Sequence, residues 1–215
     1  MDRRNQSGPE ITVNTHSSVR IAAEGKVLYV DPFELPASAG DADVIFLTHS
    51  HFDHFSPQDI AKLCKADTVF VLPASMAAEA AQTTAGHRVL AVAPSERGEV
   101  CGIAFETVPA YNPGKPFHPR GNDWVGYVLT VNGQRVYVAG DTDATEEAAA
   151  VCCEIAMLPI GGKYTMDPAE AAALANRIHP KLVIPIHYGS VTGSAQDFER
   201  FAAGVDPSIP VRRVI

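Results

Sequence analysis

The segment DVIFLTHSHFDH, residues 43–54, constrains this chain more than any other. Its four consecutive apolar residues, Val44 to Leu47, show no alternation between a wet and a dry face. A short apolar run of this kind reads as a strand covered on both sides, so its sheet needs packed material above and below. The run leads directly into His49, His51, Asp53 and His54, four ligand-type side chains within six positions. The carboxyl end of a buried strand is where α/β sheets place their chemistry. The fold must therefore cover that strand twice and still open a polar site at its end.

The rest of the chain supplies the layers. ITVNTH, SVRIAA and KVLYVDP read as strands, with Glu24-Gly25 as a hairpin turn. After the histidines, Ser56-Pro57-Gln58-Asp59 has the order of N-cap, N1 proline and acidic first turn, which predicts the helix PQDIAKLCK. TVFVLP returns as a strand and ASMAAEAAQT as a helix. GIAFETVPA, WVGYVLTV and QRVYVAG read as strands, the last two joined by the turn Asn132-Gly133. Between the first two lies YNPGKPFHPRGND, a long ordered loop of a kind that is often functional inside a compact domain. EIAMLPI, PAEAAALANRI, KLVIPIH, AQDFERFAA and VRRVI then alternate strand and helix. Two strand-rich halves, each ending in such alternation, predict an α/β (α+β) chain of two sheets under outer helices, in one domain over residues 1–215.

Composition narrows the function classes. A hydrophobic content of 46% and a charged content of 20% exclude disorder of the whole chain. The net charge of -8 argues against a generic partner among nucleic acids or anionic membranes, because phosphate neutralisation needs clustered cations. A small-molecule substrate is expected instead, with a homo-oligomer left open. Cys64, Cys101, Cys152 and Cys153 form no CxxC pair, and the adjacent two read as buried thiols. The start MDRRNQSGPE is not followed by an apolar h-region, no run reaches the length of a membrane span, and the sequon Asn5-Gln6-Ser7 is read as incidental. A cytoplasmic location is expected.

Imidazole and carboxylate together suit zinc, iron or manganese. His49 and His51, two apart, can aim at one ion, while Asp53 and His54 follow on the bend and can aim at a second. A polar cap on the following helix is the alternative. Three other segments offer further ligands: Asp141 after a strand and a glycine in YVAGDTDAT, His187 at the end of the apolar run VIPIHYG, and His118 in the loop segment KPFHPRG. A histidine at the end of a buried strand costs stability unless it is paired or ligated.

THSHFDH, AGDTD and IPIHYG, in this order, resemble the metallo-β-lactamase-fold hydrolase superfamily, and more narrowly its small single-domain bacterial branch of metal-dependent hydrolases related to the ascorbate-6-phosphate lactonases. The similarity runs from NTHSSVRI through VDPF and LPIGGKYTMDPAEAA to HYG. It implies a four-layer αββα sandwich and two divalent metal ions, zinc first, with manganese, nickel or iron as alternatives. It also implies His49 and His51 on the first ion with a third histidine, Asp53, His54 and His187 on the second, and Asp141 bridging. Many relatives carry the third histidine directly after the strand that here ends VPAYN, where this chain has Asn112; His118, six residues on, is read as the substitute.

The activity implied is attack by a metal-bound hydroxide on a small anionic ester, a lactone or phosphoester. Asp53 would orient the nucleophile or pass its proton to the leaving group. His16 and Asp31 are read as partners that orient ligands, and Tyr188 and Lys163 as donors to a substrate oxyanion. Lys163 with Arg120 or Lys115 is the reading for phosphate recognition. The competing readings are a di-iron or mononuclear metal oxidoreductase on the same fold, a nucleic-acid-processing member, and a non-catalytic metal-binding member. The oxidoreductases carry Glu at the position of His51, which favours hydrolysis here.

Overall fold

The computed structural model describes residues 8–215, so the sequon Asn5-Gln6-Ser7 lies outside the described residues. The first half contributes β1 (Glu10–Thr15), β2 (Ser18–Ala23), β3 (Lys26–Val30), β4 (Ala42–Phe46), β5 (Cys64–Pro73) and β6 (Arg88–Val92), which lie side by side in that order. The second half contributes β7 (Arg97–Val100), β8 (Ile103–Pro109), β9 (Val125–Val131), β10 (Gln134–Val138), β11 (Ile155–Pro159) and β12 (Leu182–Ile186), also in sequential order. Each sheet begins antiparallel and ends parallel: the switch comes at β3–β4 in the first and at β10–β11 in the second. Helices α1 (Pro57–Leu63) and α2 (Ala77–Ala80) cover the first sheet; α3 (Glu146–Ala149), α4 (Pro168–Ile178) and α5 (Asp197–Gly204) cover the second.

The apolar run Val44 to Leu47 serves two cores at once. Val44 and Phe46 point into the layer between the sheets, while Ile45 and Leu47 pack under α1 and α2. Side chains alternate across a strand, so a strand buried on both faces has no place for a polar residue. The second sheet repeats this: Met157 of β11 faces the central core, and Ala156 and Leu158 face the outer helices. The result is the expected four-layer αββα sandwich. Tyr127 of β9 donates from its hydroxyl to the carbonyl of Leu47 at 2.8 Å, which ties the two sheets beside the histidine segment.

Local signals account for the two helices nearest the site. Ser56 caps α1 by accepting from the Asp59 N–H, with Pro57 in the first turn. Asp167 and Glu170 close a capping box on α4, again with a proline in the first turn. Several expected elements differ. ASMAAEAAQT forms a 3-10 turn at Ala74–Met76 and only the four-residue α2. VRRVI makes one isolated bridge, Val183 to Val211, rather than a strand. β6, β7 and α3 carry little signal because they bury few apolar side chains. Of the adjacent cysteines only Cys153 is buried, and Cys152 is exposed. Among the described residues no helix is long and apolar enough to cross a membrane.

Candidate metal centre

The site is assembled at one end of the sandwich from strand termini. His16 follows β1, Asp31 follows β3, His49 to His54 follow β4, His118 lies between β8 and β9, Asp141 follows β10, and His187 follows β12. His16, Asp31 and His187 have φ values of 49°, 48° and 57°, in the left-handed region. Backbone of this kind costs on the order of 1–3 kcal/mol per residue and clusters at sites that surrounding structure holds in place. Two of the bends are bonded to each other, since the His187 N–H donates to the His16 carbonyl at 2.9 Å. Gly161 lets its own backbone lie against the second bend: a Cβ there would lie 2.3 Å from the His187 carbonyl oxygen.

The ligand-type side chains fall into two groups. His49, His51, His118 and Asp141 form one; His16, Asp53, His54 and His187 form the other, and within each group one donor atom per residue lies within 4.8 Å of the rest. Asp141 faces both. Its Oδ1 is 3.2 Å from His54 Nε2, and its Oδ2 is 3.2 Å from His118 Nε2 and 3.0 Å from His187 Nε2. Asp53 Oδ2 lies 3.6 Å from His187 Nε2 and 3.2 Å from His16 Nε2. His54 Nε2, His118 Nε2, His187 Nε2 and Asp141 Oδ1 are buried without a hydrogen-bond partner. Buried polar atoms are almost always satisfied, so inward-facing orphans in a nitrogen and oxygen set fit divalent metal ions.

Electrostatics point the same way. Burial lowers His51 and drives His49 well below the ordinary histidine value, which keeps both rings in the neutral, ligating form. Burial also lowers His16, to about 4, although its bond to Asp53 opposes this. For His54 and His187 burial opposes a charge, but Asp141, joined by Asp31 at His54 and by Asp53 at His187, outweighs it and both are raised. Burial equally opposes charge on Asp53 and Asp141. The hydrogen bond from His16 and the nearby His187 ring at Asp53, and the charges of His187 and His54 beside Asp141, overcome it and hold both carboxyls far below their usual range. Two buried carboxylates thus demand positive charge at the point where the groups meet.

Partners behind the ligands set their orientation. Asp31, fully buried, accepts from the Thr48 N–H at 2.8 Å, the Thr48 hydroxyl at 2.6 Å and His54 Nδ1 at 2.7 Å. Thr48 Oγ1 is also 2.9 Å from His49 Nδ1, so one carboxylate braces a histidine of each group. Asn112 belongs to neither group. Its Oδ1 accepts from His118 Nδ1 at 2.5 Å, leaving Nε2 to face the centre, and its Nδ2 donates to Asp143 Oδ1 at 3.0 Å. His16 is held from behind by Ser190, with Oγ 3.2 Å from Nδ1. Trp124, the single tryptophan, packs its ring 4.9 Å from both His49 and His51. Thr48, Asp143, Ser190 and Trp124 were not singled out from sequence. Thr48 and Asp143 adjoin recognised motifs, whereas nothing local marks Ser190 or Trp124.

Four of the expected donors do not line the cavity. Tyr188 is only 2% exposed and donates to the Ile215 carbonyl at 3.1 Å; the chain turns it to the opposite side from His187, into the core under α4 and α5. Lys115 donates to Asp143 at 2.7 Å and to the Thr165 carbonyl at 2.8 Å, so its charge is spent on the loop. Arg120 pairs with Glu147 at 2.7 Å. Lys163 is exposed, its ammonium 4.9 Å from the Tyr164 ring centre. The cavity over the ligands, about 290 Å³, has His51, Asp53, His118 and Asp141 as its floor and Phe52, Phe117, Tyr164 and Val191 as its wall.

Comparison with known proteins gives a consistent picture. Residues 10–187 match the family described as the beta-lactamase superfamily domain. The chain is 31% identical to a UPF0173 metal-dependent hydrolase of a Geobacillus species over 90% of this chain and 92% of the relative. It is 32% identical to one of Thermus thermophilus over 90% and 89% of the two chains. The crystal structure of a Parabacteroides distasonis protein, provisionally described as a metal-dependent hydrolase, superposes with a TM-score of 0.82 at 30% identity, over 98% of this chain and 95% of that one.

Proposed function

The chain belongs to the beta-lactamase superfamily domain family, and from that premise we propose that it is a metal-dependent hydrolase of a small ester, a lactone or phosphoester, working with two divalent ions, zinc first. The narrower kinship to ascorbate-6-phosphate lactonases rests on the sequence segments alone. The observation that carries the reading is the position of Asp141, with Oδ1 toward His54 of one group and Oδ2 toward His118 of the other. Two ions bound there supply Lewis acidity to the scissile oxygen and bring the pKa of a water toward neutrality.

The side chains divide the remaining work. Asp53 accepts the proton of the attacking water and returns it to the leaving oxygen, at a carboxylate that His16 keeps in place at 3.2 Å. Asp31 and Thr48 fix the rings of His54 and His49, so neither has to reorient during turnover. Water adds across the ester bond, and an acid and an alcohol leave.

The test is metal analysis of protein purified without chelator. The parent should carry about two equivalents and His118→Ala about one. Asn112→Ala should keep both ions but bind the first about 10–100-fold more weakly. Unchanged stoichiometry in His118→Ala overturns the ligand assignment. No turnover of any lactone, phosphodiester or thioester by fully loaded protein overturns hydrolysis.

A further inference from the structure

The cavity changes character between floor and rim. Its floor is charged and polar, but its wall is Phe52, Phe117, Tyr164 and Val191. Phe52 is 67% exposed and Val191 38%, and they are two of the three exposed large hydrophobic residues among those described. Their concentration at one mouth is not explained by packing. Burying a phenylalanine is worth about 1.5–3 kcal/mol, so a ring kept in water beside a site marks a surface that a ligand covers.

The rings are also positioned with the ligands. Phe52 stands between His51 and Asp53 in the chain and packs edge-on against Phe33, centroids 6.0 Å apart. Phe117 directly precedes His118 and packs edge-on against Tyr164 at 4.7 Å. Among the described residues no lysine or arginine lines the cavity. Lys115 and Arg120 are neutralised by Asp143 and Glu147, and the Lys163 ammonium lies over the Tyr164 ring. Recognition of a phosphate or carboxylate substituent needs donors of opposite charge, and beside this wall the described residues offer only Lys163, which does not line the cavity.

We propose that the substrate is a neutral carboxylic ester or lactone whose apolar substituent, alkyl or aryl, lies among Phe52, Phe117 and Tyr164 while its ester group rests on the floor. This rests on the hydrolase reading and narrows it away from phosphoesters and anionic esters. In the reaction the water oxygen bonds to the acyl carbon and the carbon–alkoxy bond breaks. Its electron pair stays on the alkoxy oxygen, which takes a proton; a lactone opens to one hydroxy acid.

The test compares hydroxamates, which share a metal-chelating head, by calorimetry on the metal-loaded chain: acetohydroxamate, octanohydroxamate, and the eight-carbon analogue ending in carboxylate. Octanohydroxamate should bind at least about thirtyfold tighter than acetohydroxamate, given roughly fourfold per buried methylene and burial of about two to three of the six additional methylenes, and the terminal carboxylate should cancel most of the gain. Phe52→Ala and Phe117→Ala should collapse the ratio of the first two affinities. The ratio is the readout because loss of metal lowers both affinities together. Equal or tighter binding of the carboxylate analogue, or a ratio that survives both substitutions, overturns the apolar subsite. Turnover is read in parallel on matched neutral and anionic esters. A steep hydroxamate series with no turnover of any ester overturns hydrolysis and the ester assignment with it, whereas a flat series with turnover of an anionic ester overturns only the apolar subsite.

Discussion

Asp53 and Asp141 are both buried carboxylates held ionised by histidines, yet they have different tasks. Both lie on the cavity floor, but Asp141 faces both ligand groups, whereas Asp53 belongs to one of them and is bonded to His16. Asp53→Asn keeps a similar shape and leaves the amide oxygen to meet His16, but removes the proton acceptor. Turnover should fall by about 10²–10⁴-fold, with the melting temperature of the metal-free protein changed by no more than a few degrees. Near-normal kcat in that variant would sink the role given to Asp53. Asn112 stands where the family resemblance leads one to expect a third histidine, and its Oδ1 accepts instead from His118, six residues further on. The spacing of the motifs identified the vacancy, but the bond between Asn112 and His118 depends on how the loop folds back.

At the level of elements, the loop after β3 and the start of α1 are joined by one carboxylate. Asp59 accepts from the N–H groups of Glu34 and Leu35 at 2.9 and 3.0 Å and from the Ser56 hydroxyl and Lys62 ammonium, each at 2.7 Å. Burial alone would raise its pKa, but Lys62 and these hydrogen bonds outweigh burial and the carboxyl is lowered. A carboxyl lowered by folding stabilises the native state above its unfolded value near 4, and that contribution is lost as pH falls through the lower folded value. Asp59→Asn should therefore cost about 1–3 kcal/mol in urea unfolding at pH 7 and much less at pH 2–3; equal costs at both pH values would refute this. α1 was legible because its cap, proline and acidic turn are local, and α4 was legible from first residue to last for the same reason. β6 and β7 were not, since their exposed side chains leave no apolar pattern and their place comes from pairing with β5 and β8.

For the whole molecule, the important fact is that each ligand group draws on both sheets. His49 and His51 come from the first sheet and join His118 and Asp141 of the second; Asp53 and His54 from the first join His187 of the second. Ions held there would clamp the sandwich at one end. Binding of an ion at about 100 times its Kd adds about 2.7 kcal/mol per site, so chelation of both ions should lower the melting temperature by roughly 10–20 °C and re-addition of metal should restore it. A melting temperature indifferent to chelator would refute a clamp of this kind. The sequence alone determined what local pattern can carry: a doubly buried strand, hence a layered αββα fold, and the strand-end residues His49, His51, Asp53, His54, Asp141 and His187. Only the tertiary structure decided which side chains meet across the chain. It set His16 against Asp53 and Ser190, placed Asn112 behind His118, turned Tyr188 into the core, and left an aromatic wall where cations had been expected. The reason is physical: strand and helix periodicity is written in neighbouring residues, whereas these contacts depend on where two sheets come to rest against each other.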